Sequence, residues 1–275
     1  MQNAVARPRR VSYTAGVRMS PTESKYVENK AYLARLAREA RLGARENWLR
    51  QATEFLPEEQ WFRHVKQDFP KYVPFLMKQC ELEFRGRILE IGAGGAWLSA
   101  ELSKLPRVVA IMATDLSPYP LKEYAPRVFE LRHAHARKIT RMASDFHRLD
   151  FPDHYFDYVV CSSVLHRATN IVLALREAKR VLKPGGQLVV IREPVWPLVR
   201  IKSRARILAK LLATGINDHF YTLSDYREFF KQAALPMQAQ KVNLSRGFKY
   251  YVDSVVNGLT HARYAFIGTR RGRSS

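Results

Sequence analysis

The sequence contains very little cysteine: Cys80 and Cys161 are the only two among 275 residues. Two thiols are too few for a disulfide framework or for a zinc site built from thiolates. Long apolar runs are also missing, since no uninterrupted run approaches the roughly 18 residues typical of a membrane span. Both cysteines lie in apolar or helical contexts, which favours reduced thiols and a cytoplasmic protein.

Acidic residues are scarce relative to basic ones. There are 46 Lys and Arg residues against 25 Asp and Glu residues, which gives a formal net charge of +21. Such a charge indicates an anionic partner, for example a nucleic acid, a phosphate-bearing compound or an acidic membrane surface, but it does not specify a fold. The chain is nevertheless 47% apolar, so it can form a full-sized hydrophobic core.

The N-terminal part of the chain divides into two segments. Residues 1–20 contain four arginines and no acidic residue, and we predict a basic disordered arm. Arg-rich, acid-free composition is also typical of mitochondrial targeting peptides, but Pro8 and Gly16 oppose the amphipathic helix that these require, so targeting remains the alternative. In residues 21–80 the apolar side chains recur at helical spacing, which predicts a helical N-terminal cap with one long helix from Pro21 to about Phe55.

Residues 81–275 alternate between short apolar runs and longer helical patterns. We predict strands at 87–90, 108–114, 156–162 and 187–192, with helices at about 95–105, 120–134 and 170–183 between them. This alternation is typical of βαβ units and of a parallel sheet that carries helices on both faces. The segments 237–244 and 264–270 are predicted to form a terminal hairpin, and Asn170 and Thr222 are predicted helix N-caps.

A glycine loop follows the first of these predicted strands, in the string Glu90-Ile-Gly-Ala-Gly-Gly-Ala-Trp97. A buried strand that runs through glycines into a helix exposes backbone N–H groups at the carboxyl edge of a sheet, where nucleotide-type ligands bind. The dinucleotide fingerprint fails here because Trp97 occupies its third glycine position, and no Gly-Lys-Ser/Thr follows to form a P-loop. What remains is an acid two residues before Gly92, in the pattern acid-x-Gly-x-Gly.

This pattern resembles the first motif of the class I S-adenosylmethionine-dependent methyltransferases. The resemblance continues in order over most of residues 84–193. Asp115 matches the acid that binds the ribose hydroxyls in that family, and Asp145 matches the acid near the adenine. Residues 156–166 and 180–186 resemble the fourth strand with its exit and the turn into the fifth strand. Ala96 departs from the pattern, because many members have a third glycine there.

The resemblance implies an α/β, Rossmann-like, doubly wound and mostly parallel sheet of seven strands, with an antiparallel C-terminal strand and the N-terminal helical extension. It also implies S-adenosyl-L-methionine as the cofactor. Carboxylates suit the ammonium and ribose groups of this compound, and amides at a helix start suit its carboxylate. The implied cofactor-binding residues are Glu90, Gly92, Gly94, Asp115, Leu116, Asp145, Phe146 and Cys161.

Methyl transfer does not require a base in every case, because the methyl group is activated by the cofactor and the protein chiefly aligns the reactants. His166 and Glu193 are the candidate bases. His166 also fits a role as a core residue, whereas Glu193, followed by Pro194, is expected at a ligand-facing edge. The predicted substrate-side residues are Trp196, His219 and Tyr221. No histidines have the spacing of a metal-binding set, so we predict no metal.

Acceptor selectivity is expected to come from the parts added to the core, the helical segment 21–80 and an insertion at about 194–222. The insertion overlaps a basic amphipathic stretch at 192–210, which also fits a solvated basic face over an apolar packing stripe. Such a stretch suits a membrane surface, a phosphate-bearing acceptor or RNA. We expect methyl transfer to a small-molecule or lipid/glycan-precursor acceptor, which is anionic or membrane-associated in one version of this hypothesis. The alternatives are an RNA methyltransferase and a non-catalytic protein that binds the cofactor. The oligomeric state stays open.

Overall fold

A computed structural model of the chain describes residues 24–34, 58–196, 219, 221–245 and 263–272. The predicted arm at 1–20 lies outside these residues. So do most of the predicted long helix that begins at Pro21 and most of the insertion at 194–222.

Ten strands are found in the described part of the chain. Eight of them form the main sheet: β1 (Lys25–Val27), β2 (Gly86–Ile91), β3 (Val108–Asp115), β4 (Ile139–Ala143), β5 (Phe156–Ser162), β6 (Leu182–Ile191), β9 (Met237–Lys241) and β10 (Tyr264–Thr269). Their spatial order is β1-β4-β3-β2-β5-β6-β10-β9. Strands β1 to β6 pair in parallel, whereas β10 is antiparallel to both β6 and β9. The short strands β7 (Val195–Trp196) and β8 (Tyr221–Thr222) pair separately.

Helices cover both faces of the sheet: α1 (Glu58–Gln67), α2 (Tyr72–Gln79), α3 (Trp97–Ser103), α4 (Pro118–Leu131), α5 (Ile171–Val181) and α6 (Leu223–Gln232). Successive strand residues point to opposite faces, so Val160 packs with the first four helices and Val159 with α5 and α6. A sheet buried on both faces explains the continuous apolar runs in the sequence. The predicted α/β, Rossmann-like fold class is therefore confirmed.

The predicted N-caps of α5 and α6, the two helices on the Val159 face of the sheet, are confirmed. The Asn170 side chain accepts a hydrogen bond from the Leu173 N–H at 2.9 Å, which begins α5. Thr222 and Asp225 form a capping box at the start of α6. Both caps satisfy N–H groups that a helix leaves without partners in its first turn.

The prediction of a helix from Pro21 was wrong for residues 25–27, which form strand β1. This strand pairs in parallel with β4, with Tyr26 opposite Arg141, and residues 30–34 are helical. The Arg141 guanidinium also donates to the Ser24 carbonyl at 3.1 Å. Pairing with a distant strand therefore outweighs the local helical pattern. As a result the main sheet has eight strands, one more than the predicted seven.

The segment that follows β1 is anchored beside the end of β3. Tyr32 is 3% exposed, and its hydroxyl donates to the Leu116 carbonyl at 2.6 Å. Asn29 accepts a hydrogen bond from the Tyr32 N–H and donates to the Asp150 carboxylate at 3.1 Å. These contacts bring the first described residues next to the loop that leaves β3.

Substitution of Tyr32 tests this anchoring. We expect Tyr32→Phe to lower the free energy of unfolding by about 1 kcal/mol, because it removes one hydrogen bond. Tyr32→Ala should lower it by about 3 kcal/mol, because it also leaves a cavity. Urea denaturation measures both. The matched pair Tyr119→Phe and Tyr119→Ala, at a tyrosine that is 52% exposed, should change stability little; equal effects at the two positions would contradict the docking of this segment.

Candidate functional site

The glycine loop between β2 and α3 leaves room for a ligand. Gly92 has a φ of +62°, and a Cβ built there would lie 2.4 Å from the Val164 side chain. Gly94 has a φ of +52°, but nothing lies within 4 Å of a Cβ built on it. The conformation at Gly92 is therefore needed for packing, whereas Gly94 presents backbone to open space.

Ala96 also adopts a left-handed conformation, with a φ of +55°, directly before α3. This is the position where many members of the resembled family have a third glycine. The physical reason for that glycine is now clear, because a left-handed conformation costs an L-residue roughly 1–2 kcal/mol. Alanine accepts this strain and still allows the helix to pack against the sheet.

Glu90 lies beneath the loop and is 1% exposed. Its carboxylate accepts hydrogen bonds from the Ser99 N–H, at 2.9 Å, and from the Ser99 hydroxyl. Burial raises the pKa of Glu90 to about 8, although the Ser99 hydrogen bonds act in the opposite direction. In this arrangement Glu90 joins the end of β2 to the first turn of α3.

Asp115, the last residue of β3, lies directly against the loop. Its Oδ2 accepts from the Gly94 N–H at 2.8 Å, and its Oδ1 accepts from the Ser117 N–H at 2.9 Å. Burial raises the pKa of Asp115, while these N–H groups and the positive charge of Arg167 partly offset the increase. The structure thus brings together the predicted residues Gly94 and Asp115, and Leu116 follows with its carbonyl bonded to Tyr32.

The segment after β4 lies next to Asp115. The Ser144 N–H donates to the Asp115 carbonyl at 2.8 Å. Ser144 is 2% exposed, and its Oγ has no hydrogen-bond partner among the described residues. Asp145 accepts from the backbone and the ring of His147, at 2.9 and 2.8 Å, and the Phe146 ring lies 4.6 Å from that imidazole. Two acids and one unpartnered buried hydroxyl therefore lie at adjacent strand ends.

The two candidate bases form one buried pair. The His166 Nδ1 lies 2.9 Å from a Glu193 carboxylate oxygen. That carboxylate also accepts from the backbone N–H groups of Val164, Leu165 and His166, at 2.7 to 3.0 Å, and from the Tyr226 hydroxyl at 3.2 Å. Burial acts to raise the pKa of Glu193, but the charge and hydrogen bond of His166 and the backbone donors outweigh it, so the pKa is lowered.

Cys161 lies on β5 and is fully buried in the hydrophobic core. Burial, together with the charges of Glu193 and Glu90, raises the pKa of its thiol well above the ordinary value. Cys161 therefore lies inside the core near the end of β5 and has no exposed surface.

The predicted substrate-side residues lie near the His166 turn. The His219 N–H donates to the His166 carbonyl at 2.9 Å. Its ring centroid lies 5.8 Å from that of Tyr221, which also packs against Phe229 at 4.8 Å. Trp196 pairs with Thr222 between β7 and β8. The structure therefore brings these three residues toward the carboxyl ends of β5 and β6.

Residues of the helical cap contact the site, although the sequence analysis named none of them individually. A Cβ built on Gly95 would lie 2.4 Å from the Trp61 ring, so α1 packs directly on the glycine loop. Phe69 packs against Trp97 at 4.9 Å, and the Arg192 guanidinium lies 3.8 Å from the Phe69 ring centroid. The density of aromatic residues at 57–78 was the available signal, but it does not show which surface they cover.

Two features are absent from the described residues. Within those ranges, no three His, Cys, Asp or Glu side chains are grouped so that they could hold a metal ion. No helix in the same part of the chain is long and apolar enough to cross a membrane.

Comparison with known proteins identifies the chain's relatives. A family model described as a methyltransferase domain matches residues 89–190. The demethylmenaquinone methyltransferase of Mycobacterium marinum is 30% identical over 167 residues, which are 58% of this chain and 67% of that protein. The ubiquinone/menaquinone biosynthesis C-methyltransferase UbiE of Pseudomonas putida is 33% identical over 137 residues, 47% of this chain and 52% of that protein.

A solved structure shares the fold. Phosphoethanolamine N-methyltransferase 2 of Haemonchus contortus, in complex with S-adenosyl-L-methionine, superposes with a TM-score of 0.55 at 14% identity, covering 74% of this chain and 53% of that one. The family match begins within β2 and continues through the glycine loop, Asp115 and Asp145 into β6, and it stops before Glu193. The chain belongs to the class I S-adenosylmethionine-dependent methyltransferases.

Proposed function

We propose that this methyltransferase acts on a small organic acceptor with an apolar body, such as a quinone-like compound or a lipid or glycan precursor. The observation that carries the proposal is the aromatic enclosure of residues 192–195, which directly follow β6. Phe69 stacks on Arg192 from one side. Tyr226 donates to Glu193, and Tyr221 pairs with Val195 from the other side. Aromatic walls with a few polar groups are typical of small-molecule pockets.

The named substrates of two relatives support this acceptor class. One relative is a demethylmenaquinone methyltransferase, and the other acts in ubiquinone and menaquinone biosynthesis. Both names refer to quinones. The net charge of +21 is what favours RNA as the alternative acceptor.

The donor set at the sheet edge fits S-adenosylmethionine. Gly94 faces open space, and the Ser144 hydroxyl is buried without a partner among the described residues. The Asp115 carboxylate accepts from three N–H groups, those of Gly94, Ser117 and Leu116, and it can accept a further hydrogen bond. We therefore assign Asp115 to the ribose hydroxyls. We assign Asp145 and Phe146 to the adenine. The glycine-loop amides and the start of α3 suit the carboxylate.

When bound, S-adenosylmethionine supplies a methyl group already activated by positive sulfur. The chain's own residues must hold the acceptor in line with it and exclude water. We infer that Glu193 is a positioning residue, because its carboxylate already accepts five hydrogen bonds. Any proton transfer by His166 must use Nε2, since Nδ1 is held by Glu193.

The ribose assignment predicts that Asp115→Ala weakens binding of S-adenosylhomocysteine by about 10- to 100-fold, the loss expected for hydrogen bonds to a charged acceptor. Isothermal titration calorimetry measures the affinity. Asp153→Asn is the matched control, because that acid is 61% exposed and pairs with Arg180 away from the loop. Wild-type affinity in a folded Asp115→Ala protein would show that Asp115 does not bind the cofactor.

The positioning role of Glu193 predicts a pH-dependent loss of stability. At pH 7, Glu193→Gln should lower the free energy of unfolding by about 3 kcal/mol, because it breaks a buried pair. The pKa of Glu193 is lowered on folding, so its contribution is complete above the ordinary carboxyl pKa and is lost as the pH falls through the lowered value. Denaturation at pH 7 and in acid measures the change; Glu228→Gln, at a side chain that is 52% exposed, is the control. If Glu193→Gln lowers the free energy of unfolding by the same amount in acid as at pH 7, the charge of Glu193 does not stabilise the fold.

The acceptor class is tested with methyl-labelled S-adenosylmethionine. We offer a neutral lipid extract, a polar metabolite extract and total RNA separately, with and without ribonuclease. Label should enter the lipid or metabolite fraction and should be insensitive to ribonuclease, because the proposed pocket is aromatic and enclosed. At a limiting concentration of S-adenosylmethionine, Asp115→Ala should transfer much less label than the wild type. Label that enters only RNA and is released by ribonuclease would replace this proposal with the RNA alternative.

A further inference from the structure

Two strained residues lie side by side at the carboxyl ends of β5 and β6. Ser163 has a φ of +60° and Arg192 a φ of +62°, and the Ser163 N–H donates to the Ile191 carbonyl at 2.9 Å. Neither residue is a glycine, so each conformation is costly. Strain of this kind is concentrated at functional sites, where it directs a side chain. At Arg192 it sends the guanidinium back over the end of β5.

The Arg192 guanidinium lies in a largely apolar, aromatic environment. It stacks over the Phe69 ring at 3.8 Å, and one N–H group donates to the Ser162 hydroxyl at 3.3 Å. The Tyr72 side chain accepts another hydrogen bond. Arg192 keeps some exposed surface, although its guanidinium is largely enclosed by these neighbours. A guanidinium has five N–H donors in a planar fork, and these contacts use only part of them.

No carboxylate in the described part of the chain forms an ion pair with Arg192. Glu193 is its neighbour in sequence, but that carboxylate is turned toward Val164, Leu165, His166 and Tyr226. Arg263 adds a second positive charge nearby, and burial together with that charge lowers the pKa of Arg192 despite the opposing effect of Glu193. Among the described residues, no carboxylate is therefore paired with the charge of Arg192, which is costly for a largely buried group.

We infer that Arg192 binds an anionic oxygen group of the acceptor, a carboxylate or a phenolate, at the ends of β5 and β6. This assignment rests on the proposed function and adds the residue that selects the acceptor by charge. The planar fork of arginine matches a carboxylate in a bidentate way and can donate two hydrogen bonds to a single phenolate oxygen, and stacking on Phe69 holds its orientation. The aromatic walls accommodate the apolar body of the same molecule.

The test uses matched pairs of fragments that differ only in charge: benzoate with benzamide, and 4-hydroxybenzoate with 4-hydroxybenzamide. The full chain is first saturated with S-adenosylhomocysteine, and fragment affinity is measured by ligand-observed NMR titration. We expect each acid to bind the wild type about tenfold or more tightly than its amide, the difference typical of a charged hydrogen bond. Arg192→Met keeps an apolar stem on Phe69 and should abolish this preference, whereas Arg192→Lys should retain part of it.

Arg107→Met is the matched control, because this arginine pairs with Glu83 and is 59% exposed. It should keep the full preference for acids. Equal affinity for acid and amide in the wild type, no binding of either, or an acid preference that persists in both Arg192 variants would overturn the assignment. Each of these results leaves the proposed function standing if S-adenosylhomocysteine still binds. Failure of the wild type to bind S-adenosylhomocysteine would instead remove the proposed function itself.

Discussion

Parallel pairing is the constraint on which the rest of this structure depends. Because β2, β3, β4, β5 and β6 all run in one direction, the segments that follow them leave from one edge of the sheet. Gly94, Asp115, Asp145 and Glu193 are separated by up to about a hundred positions in the chain, yet they reach the same edge. The hydrogen bond from Gly94 to Asp115 links the loops that follow β2 and β3, and the Glu193 network links the loops that follow β5 and β6.

Glu90 and Glu193 show how the number of donors decides the state of a buried acid. Both are almost completely buried. Among the described residues, the Glu90 side chain has Ser99 as its only hydrogen-bond partner, and burial raises the pKa of Glu90 to about 8. Glu193 faces five donors, including the His166 ring, and its pKa is lowered. Desolvation favours the neutral acid in both cases, but only at Glu193 do enough donors compensate the charge.

The loops at this edge contain strained, non-glycine backbone. Ala96, Ser163 and Arg192 all have positive φ. Ala96 directly precedes α3, Ser163 directly follows β5, and Arg192 directly follows β6. Such conformations persist only when the surrounding packing compensates their cost. Here the compensation comes from the buried sheet and from the cap, whose Trp61 covers Gly95. Both the sheet and the helical cap therefore support the site.

The sequence by itself determined the α/β class, the strand–glycine–helix unit at Glu90, the acids at strand ends and the caps at Asn170 and Thr222, because these depend on residues close together in the chain. Tertiary structure alone decided that residues 25–27 form a strand, since that strand exists only through pairing with β4. It also decided that Glu193 faces the His166 turn while Arg192 faces Phe69. Adjacent residues at a strand end can turn to opposite sides, and only their distant neighbours fix which side each one takes.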